Sequence, residues 1–126
     1  MQELVRTYDL AHPECEFSFR IEGGFPRLGP DLSIAVYRVV QEALSNIVKH
    51  ADASHATVEL HSDHGAYRIT IRDDGKGFDT EQPTSAGIGL ISMRERMHGA
   101  GGSVSVRSRR DVGTEVIISL ARTNEG

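Results

Sequence analysis

The sequence has a single cysteine and no long apolar run, and both scarcities restrict what the chain can be. Cys15 alone cannot form an internal disulfide or a cysteine metal cluster, so a reducing compartment and a small buried thiol are expected. No stretch approaches the roughly 20 apolar residues of a membrane-spanning helix. Charged residues soon follow Met1, so we expect no signal peptide either.

The sequence also has fewer basic residues than acidic ones. The 126 residues carry a formal net charge of −4, which argues against a protein that grips nucleic acid over its whole surface. A local polyphosphate site remains compatible with that balance.

The length is typical of one compact domain, and no internal repeat or low-complexity tract divides it. We therefore expect one domain over 1–126, with its core at about 14–120.

Hydrophobic periodicity predicts an α+β protein. The apolar spacing over 1–12 fits a short helix or a strand, and a helix is favoured. A long helix is expected from Pro30 to His50, and a further helix opens at Gly87. Residues that alternate between apolar and polar predict the strands, which lie at 15–21, 56–61, 66–72, 103–108 and 114–120. Because the strands are grouped, the pattern favours a two-layer α/β sandwich, with about five strands covered on one face by about three helices.

The long helix carries a polar stripe whose chemistry could be functional. Glu42, Asn46, Lys49 and His50 follow one another at offsets that place them along one side of an α-helix, opposite an apolar stripe. A carboxylate and an amide one turn apart can share Mg²⁺; alternatively the carboxylate accepts a proton while the amide alone ligates the metal. Lys49 could reach a terminal phosphate. Taken alone, the stripe could equally be a solvated face.

Two glycine-containing segments complete the candidate site. Asp73-Asp74-Gly75-Lys76-Gly77 ends a strand, where a buried carboxylate could accept from an exocyclic amine and the glycines could admit a flat ring; an ordinary Asp-Gly turn is the plainer interpretation. Gly87-Ile88-Gly89-Leu90 opens a helix, whose free amides favour anions. Together the three segments predict one ligand, with adenine near Asp73 and triphosphate oxygens near Gly87 and Gly89. Metal and phosphates would lie near Glu42, Asn46 and Lys49.

Taken in their order along the chain, the three segments resemble the ATP-binding catalytic domain of bacterial sensor histidine kinases. That domain belongs to the Bergerat-fold superfamily shared with gyrase, Hsp90 and MutL. Residues 42–50 match that family's N box, 73–77 its first glycine box and 87–90 its second. The Glu-Ala-Leu-Ser-Asn form of the N box, with residues 91–96 after the second glycine box, is similar to the nitrate-sensor and DesK-like branch.

The resemblance implies a set of residue roles. Asn46 would bind Mg²⁺ and Asp73 the adenine amine. Glu42 would be either a proton acceptor or metal-side support, Lys49 would contact phosphates, and His50 would pack near the ribose or phosphates. Thr114 matches a threonine that often contacts the adenine site. The remaining nucleotide contacts would come from the glycine boxes, at Gly75, Gly77, Gly87, Gly89 and Leu90. Residues 79–86 would be a short ATP lid.

The resemblance also implies what the chain acts with. A histidine kinase catalytic domain binds Mg-ATP and donates the γ-phosphoryl group to a histidine on a separate dimerisation domain, and a response regulator acts downstream. None of the six histidines lies in the helical pattern of such an acceptor, so transfer is expected to be poor without that domain. The implied location is cytoplasmic, whether or not the parent kinase is membrane-anchored, with no direct membrane contact. The open alternatives are an anti-sigma-type serine kinase and a non-catalytic ATP-sensing module.

Overall fold

The computed structural model describes residues 1–23, 28–63, 66–77 and 85–121, and the side chains of 63, 85–91 and 121 lie outside this description. The helices are α1 (Gln2–Ala11), α2 (Pro30–Asn46) and α3 (Ser85–Gly99), and a π-helical turn (Ile47–Ala51) continues α2. The strands are β1 (Glu16–Glu22), β2 (His55–Asp63), β3 (Ala66–Asp73), β4 (Gly102–Arg109) and β5 (Gly113–Ala121). The predicted elements are thus confirmed, including the N-terminal helix.

The five strands form one mixed sheet in the order β1-β2-β3-β5-β4. Strand β1 runs parallel to β2, and the other neighbouring pairs are antiparallel. Because a parallel pair needs a crossover, α2 lies in the connection between β1 and β2. The ends of β3 and β5 meet with Asp73 opposite Thr114. The expected two-layer sandwich, with a mixed sheet of five strands and three helices, is confirmed.

Alternate strand residues and one face of α2 build the core. Val36, Val39, Val40 and Leu44 of α2 are at most 1% exposed, as are Val58, Ile69, Ile71 and Ile118 of the sheet. Each such side chain contributes about 1.5–3 kcal/mol when it leaves water. Packing against the sheet therefore stabilises α2, and it fixes the orientation of the polar residues on the helix's other faces.

The N-terminal segment is joined to the sheet by polar contacts as well as by packing. The Asp9 carboxylate accepts from the amide of Phe17 over 3.0 Å, and the amide of Glu16 donates to the carbonyl of Ser54 over 2.8 Å. Val5 and Cys15 are 2% and 6% exposed. The expectation of a small buried thiol at Cys15 is confirmed.

Two helix boundaries differ from prediction. The α-helical part of α2 stops at Asn46, and the π-helical turn carries the chain to Ala51 before Asp52 adopts a left-handed conformation with φ 51°. Helix α3 begins at Ser85, two residues before Gly87, so Ser85 and Ala86 are helical and not part of a loop. The rest of the predicted lid, 79–84, lies outside the described residues, as do His64 and Gly65 between β2 and β3.

Within the described residues, no helix is long and apolar enough to cross a membrane.

Candidate nucleotide site

Asp73 is a buried carboxylate at the end of β3. It is 7% exposed, one of its oxygens accepts from the amide of Gly75 over 2.8 Å, and the amide of Thr114 donates to the same side chain. Burial raises the pKa of Asp73 above its ordinary value and the charge of Asp74 adds to that rise, while the two backbone amides partly offset it. A desolvated carboxylate with few internal partners is suited to accept a hydrogen bond from a ligand amine.

Asp74, the next residue, has a different role. Its carboxylate is half exposed and accepts from the amides of Ser54 and His55 over 2.8 and 2.9 Å, and it lies 3.2 Å from the His55 ring. The amide of His55 is the main cause that lowers the pKa of Asp74. Strand alternation separates the two acids in the sequence itself, because Ile69, Ile71 and Asp73 share one face of β3 and Asp74 does not.

Gly75 and Gly77 are glycines because the backbone around them is crowded. A Cβ at Gly75 would overlap the carbonyl of Ala51, and one at Gly77 would overlap the carbonyl of Arg109. Gly77 also has φ +62°. The amide of Lys76 donates to the Ala51 carbonyl over 2.7 Å, and the Lys76 carbonyl accepts from Asp111 over 2.7 Å. The turn is therefore held between the end of the α2 extension and the β4–β5 turn.

Asn46 is the last α-helical residue of α2 and presents an unsatisfied amide. Its Nδ2 is buried, and among the described residues it has no hydrogen-bond partner. Leaving a buried polar group unpaired costs about 1–3 kcal/mol, so a purely structural role explains Asn46 poorly. An amide can donate to a phosphate oxygen through nitrogen or ligate a hard cation through oxygen, so this residue fits a metal–nucleotide ligand.

The other residues of the predicted polar stripe are divided between two environments. Lys49 and His50 lie in the π-helical turn and are exposed, whereas Glu42 and Asn46 are half-buried on α2. The wider turn breaks the α-helical spacing on which a single stripe was predicted. Glu42 opens onto a groove of about 670 Å³ between the helices, which is lined by Tyr8, Arg38, Gln41, Glu42, Ser45, Ser92, Met93 and Arg96.

The second glycine segment lies at the start of α3. Because the helix begins at Ser85, Gly87 falls in its first turn, where backbone amides have no intrahelical partner, and Gly89 falls in the next turn. Leu90 follows within the same helix; its side chain is outside the described residues. An anion site at Gly87 stays a prediction, which the position of Gly87 in the first turn of α3 allows.

Sequence reasoning missed the groove residues Arg38, Ser92 and Arg96, and it missed Ser108. Ser108 Oγ and Thr114 Oγ1 share a hydrogen bond of 2.8 Å beside Asp73, in a cleft of about 570 Å³. The four-residue spacing between Arg38 and Glu42 was a usable signal on a predicted helix. Pairing of Ser108 with Thr114 depends on the register of β4 and β5, which the sequence did not define.

Comparison with known proteins gives a consistent set of matches. Residues 31–124 match the family model described as histidine kinase-, DNA gyrase B-, and HSP90-like ATPase. The chain is 34% identical over 125 residues to the signal transduction histidine-protein kinase/phosphatase DegS of Brevibacillus brevis, covering 99% of this chain and 32% of that protein. It is 40% identical over 91 residues to the sensor histidine kinase YxjM of Bacillus subtilis (strain 168), covering 72% and 22%. The chain thus spans about a third or less of these relatives.

Solved structures show the same fold. The catalytic domain of the histidine kinase ThkA superposes with a TM-score of 0.73 at 17% identity, covering 96% of this chain and 91% of that one. The Acinetobacter baumannii histidine kinase AdeS gives a TM-score of 0.76 at 13% identity, covering 97% and 64%. At such identities the likeness concerns the arrangement of helices and strands.

Proposed function

We propose that this chain, which belongs to the family of histidine kinase-, DNA gyrase B-, and HSP90-like ATPases, is the ATP-binding catalytic domain of a two-component sensor histidine kinase. It binds Mg-ATP and donates the γ-phosphoryl group to a histidine on a separate domain of the parent protein. Two observations carry the proposal: Asp73 is a buried carboxylate, and the buried amide nitrogen of Asn46 has no hydrogen-bond partner among the described residues. The hydrogen bond from Lys76 to the Ala51 carbonyl joins the turn after Asp73 to the helical segment after Asn46.

Asp73 recognises the adenine end of the nucleotide. Its desolvated carboxylate accepts from the exocyclic amine, while Thr114 and the turn at Gly75 and Gly77 hold that carboxylate in place. A carboxylate that accepts a hydrogen bond from the amine distinguishes adenine from a base with a hydrogen-bond acceptor at the same position. The base is thereby held at the end of β3.

Asn46 and Lys49 serve the phosphate end, together with the backbone at Gly87 and Gly89 and the neighbouring Leu90. His50 packs near the ribose or the phosphates. Mg²⁺, when bound through Asn46, would neutralise charge on the phosphate oxygens. Lys49 adds a point charge and the first turn of α3 adds backbone donors. Glu42 either accepts a proton or supports the metal side.

Transfer requires an acceptor in line with the γ-phosphorus. A bond forms between phosphorus and the acceptor imidazole nitrogen, the bond to the bridging oxygen breaks, ADP leaves with that electron pair, and the imidazole N–H proton passes to Glu42 or to water. This chain's residues contribute positioning and charge neutralisation. The domain alone should therefore bind ATP and transfer little.

The names of the curated relatives favour a histidine acceptor over the two alternatives, an anti-sigma-type serine kinase and a non-catalytic ATP-sensing module. The presence of Glu42, Asn46 and Asp73 weighs against the sensing module. We further propose a cytoplasmic location and a response regulator downstream, both by analogy with the relatives.

Calorimetry and a transfer assay test the proposal. Mg-ATP should bind the wild-type chain, and Asn46→Ala should remove the Mg-dependent part of the affinity while leaving the thermal melt cooperative. With labelled ATP and an added acceptor domain, the label should be acid-labile, as phosphohistidine is. An acid-stable label would favour the serine kinase, and unchanged Mg-ATP affinity in Asn46→Ala would refute the site.

A further inference from the structure

Ser108 connects the adenine end of the candidate site to the edge strand β4. In the sheet register Ser108 lies opposite Thr114, and Thr114 lies opposite Asp73, so the three residues form one row across β4, β5 and β3. Residues directly opposite one another in a sheet project from the same face. All three line the cleft of about 570 Å³. The proposed function uses Asp73 and Thr114 and gives Ser108 no role.

Two hydrogen bonds of Ser108 determine which way the hydroxyl protons in this row are directed. Ser108 Oγ lies 2.8 Å from Thr114 Oγ1, a contact in which either oxygen can donate. It also lies 3.3 Å from the carbonyl oxygen of Gly113, which can only accept. Because a hydroxyl carries one proton, Ser108 cannot donate in both contacts. Both bonds form together only when Thr114 donates to Ser108 and Ser108 donates to Gly113.

The peptide unit between Gly113 and Thr114 holds the acceptor of this relay in place. Its carbonyl accepts from Ser108, and its N–H, on Thr114, donates to the Asp73 side chain. The two groups belong to one planar unit, so the carbonyl cannot turn without breaking the bond to Asp73. Gly113 has φ +136°, and a Cβ there would overlap the Asp73 carbonyl. The direction of the Ser108 proton is therefore tied to the carboxylate proposed to bind adenine.

We propose that Ser108 is a positioning residue that makes the Thr114 hydroxyl a hydrogen-bond acceptor toward the nucleotide base. With its proton directed to Ser108, Thr114 Oγ1 presents lone pairs to the cleft, beside its β3 neighbour Asp73. Two neighbouring acceptors favour an exocyclic amine, which has two N–H groups, and repel the carbonyl oxygen of a 6-oxopurine. The inference rests on the proposed function and adds a residue that selects an aminopurine without touching it.

Calorimetry with Mg-ATP and Mg-ITP tests this role, because ITP has a carbonyl oxygen where ATP has the amine. In Ser108→Ala the Thr114 proton is released and can donate to that oxygen. The ratio of the ITP Kd to the ATP Kd should therefore fall by about 2- to 10-fold, the range of one neutral hydrogen bond. Ser108→Thr keeps a hydroxyl and should keep the wild-type ratio. Ser105→Ala is the matched control, because Ser105 is exposed on the same strand and does not line the cleft.

Thr114→Val, which removes the hydroxyl at nearly constant shape, is the second test. The Kd ratio should fall here too, and adding Ser108→Ala should change it no further, because Ser108 acts through Thr114. Equal ATP and ITP affinities in the wild-type chain, an unchanged ratio in Ser108→Ala, or a ratio that rises in Thr114→Val would overturn the inference. Any of these results leaves ATP binding, and with it the proposed function, intact. If the wild-type chain binds neither nucleotide, the proposed function fails and the role of Ser108 fails with it.

Discussion

Gly75 lies against the carbonyl group of Ala51 with no room for a side chain, and the next amide, that of Lys76, donates to the same carbonyl oxygen over 2.7 Å. This contact joins the helical segment that carries Asn46 to the turn that follows Asp73. The two ends of the candidate nucleotide site are therefore linked by backbone, and their separation does not depend on a ligand.

Gly75→Ala should damage both the fold and nucleotide binding. Its methyl group would displace the Ala51 carbonyl, and forced repacking of this kind costs about 1–3 kcal/mol. Gly99→Ala is the matched control, because nothing lies within 4 Å of the added Cβ at the end of α3; its effect should stay within about 1 kcal/mol. Urea unfolding compares the two, and equal stability would mean that the Gly75–Ala51 contact is readily relaxed.

Asp73→Asn should weaken ATP binding and reduce discrimination between ATP and GTP. Loss of a charge-assisted hydrogen bond is worth about 1.5–3 kcal/mol, or roughly 10- to 150-fold in Kd. Asp74→Asn makes the same chemical change one residue away, at a carboxylate that bonds Ser54 and His55 instead. Asp74→Asn should leave the preference for ATP over GTP unchanged in a competition assay. A similar loss of that preference in both variants would argue that Asp73 does not recognise the base.

The same two variants should alter the pH dependence of stability with opposite signs. Burial raises the pKa of Asp73 above its ordinary 3.8, so its contribution to stability is complete below that pH and is lost as pH rises through the native pKa. The His55 amide lowers the pKa of Asp74, so its contribution is present above 3.8 and is lost as pH falls through the native pKa.

Urea titrations between pH 3 and 7 measure these differences against wild type. Ionisation of Asp73 lowers the wild-type free energy of unfolding as pH rises above 3.8, and Asp73→Asn should abolish that decrease. Protonation of Asp74 lowers it as pH falls below 3.8, and Asp74→Asn should abolish that decrease. Difference curves of the same sign would show that the two carboxylates are not separated as the structure has them.

Cys15 should react slowly with thiol reagents in the native protein. Burial is the main cause that raises its pKa to about 11, from an ordinary value of 9.0. At pH 8 its thiolate fraction is then roughly 100-fold below that of an ordinary thiol, before steric protection is counted. Alkylation followed by mass spectrometry, with and without urea, checks this; reaction rates equal to those of the unfolded chain would contradict it.

Sequence periodicity predicted the helices, strands and sandwich, because each element buries one face against the others. Ile69, Ile71 and Asp73 already indicated which acid points inward. The π-helical turn was not predictable, since its residues have ordinary helical propensities. The hydrogen bond from Lys76 to its last residue, Ala51, comes from a distant part of the chain, which local sequence does not specify. The groove around Glu42 likewise depends on how three helices meet, which no local pattern specifies.

The parallel edge strand β1 determines where this domain can be cut when it is fused to another protein. The family match begins at residue 31, yet β1 pairs with β2 from His55 to His61. Helix α1 is joined to β1 by the hydrogen bond from the Phe17 amide to Asp9. A chimeric protein cut at residue 31 would expose the backbone groups of β2 and leave Val5, Cys15 and Phe17 out of the core. Such a fusion should aggregate, and a fusion point ahead of Gln2 should yield a soluble product.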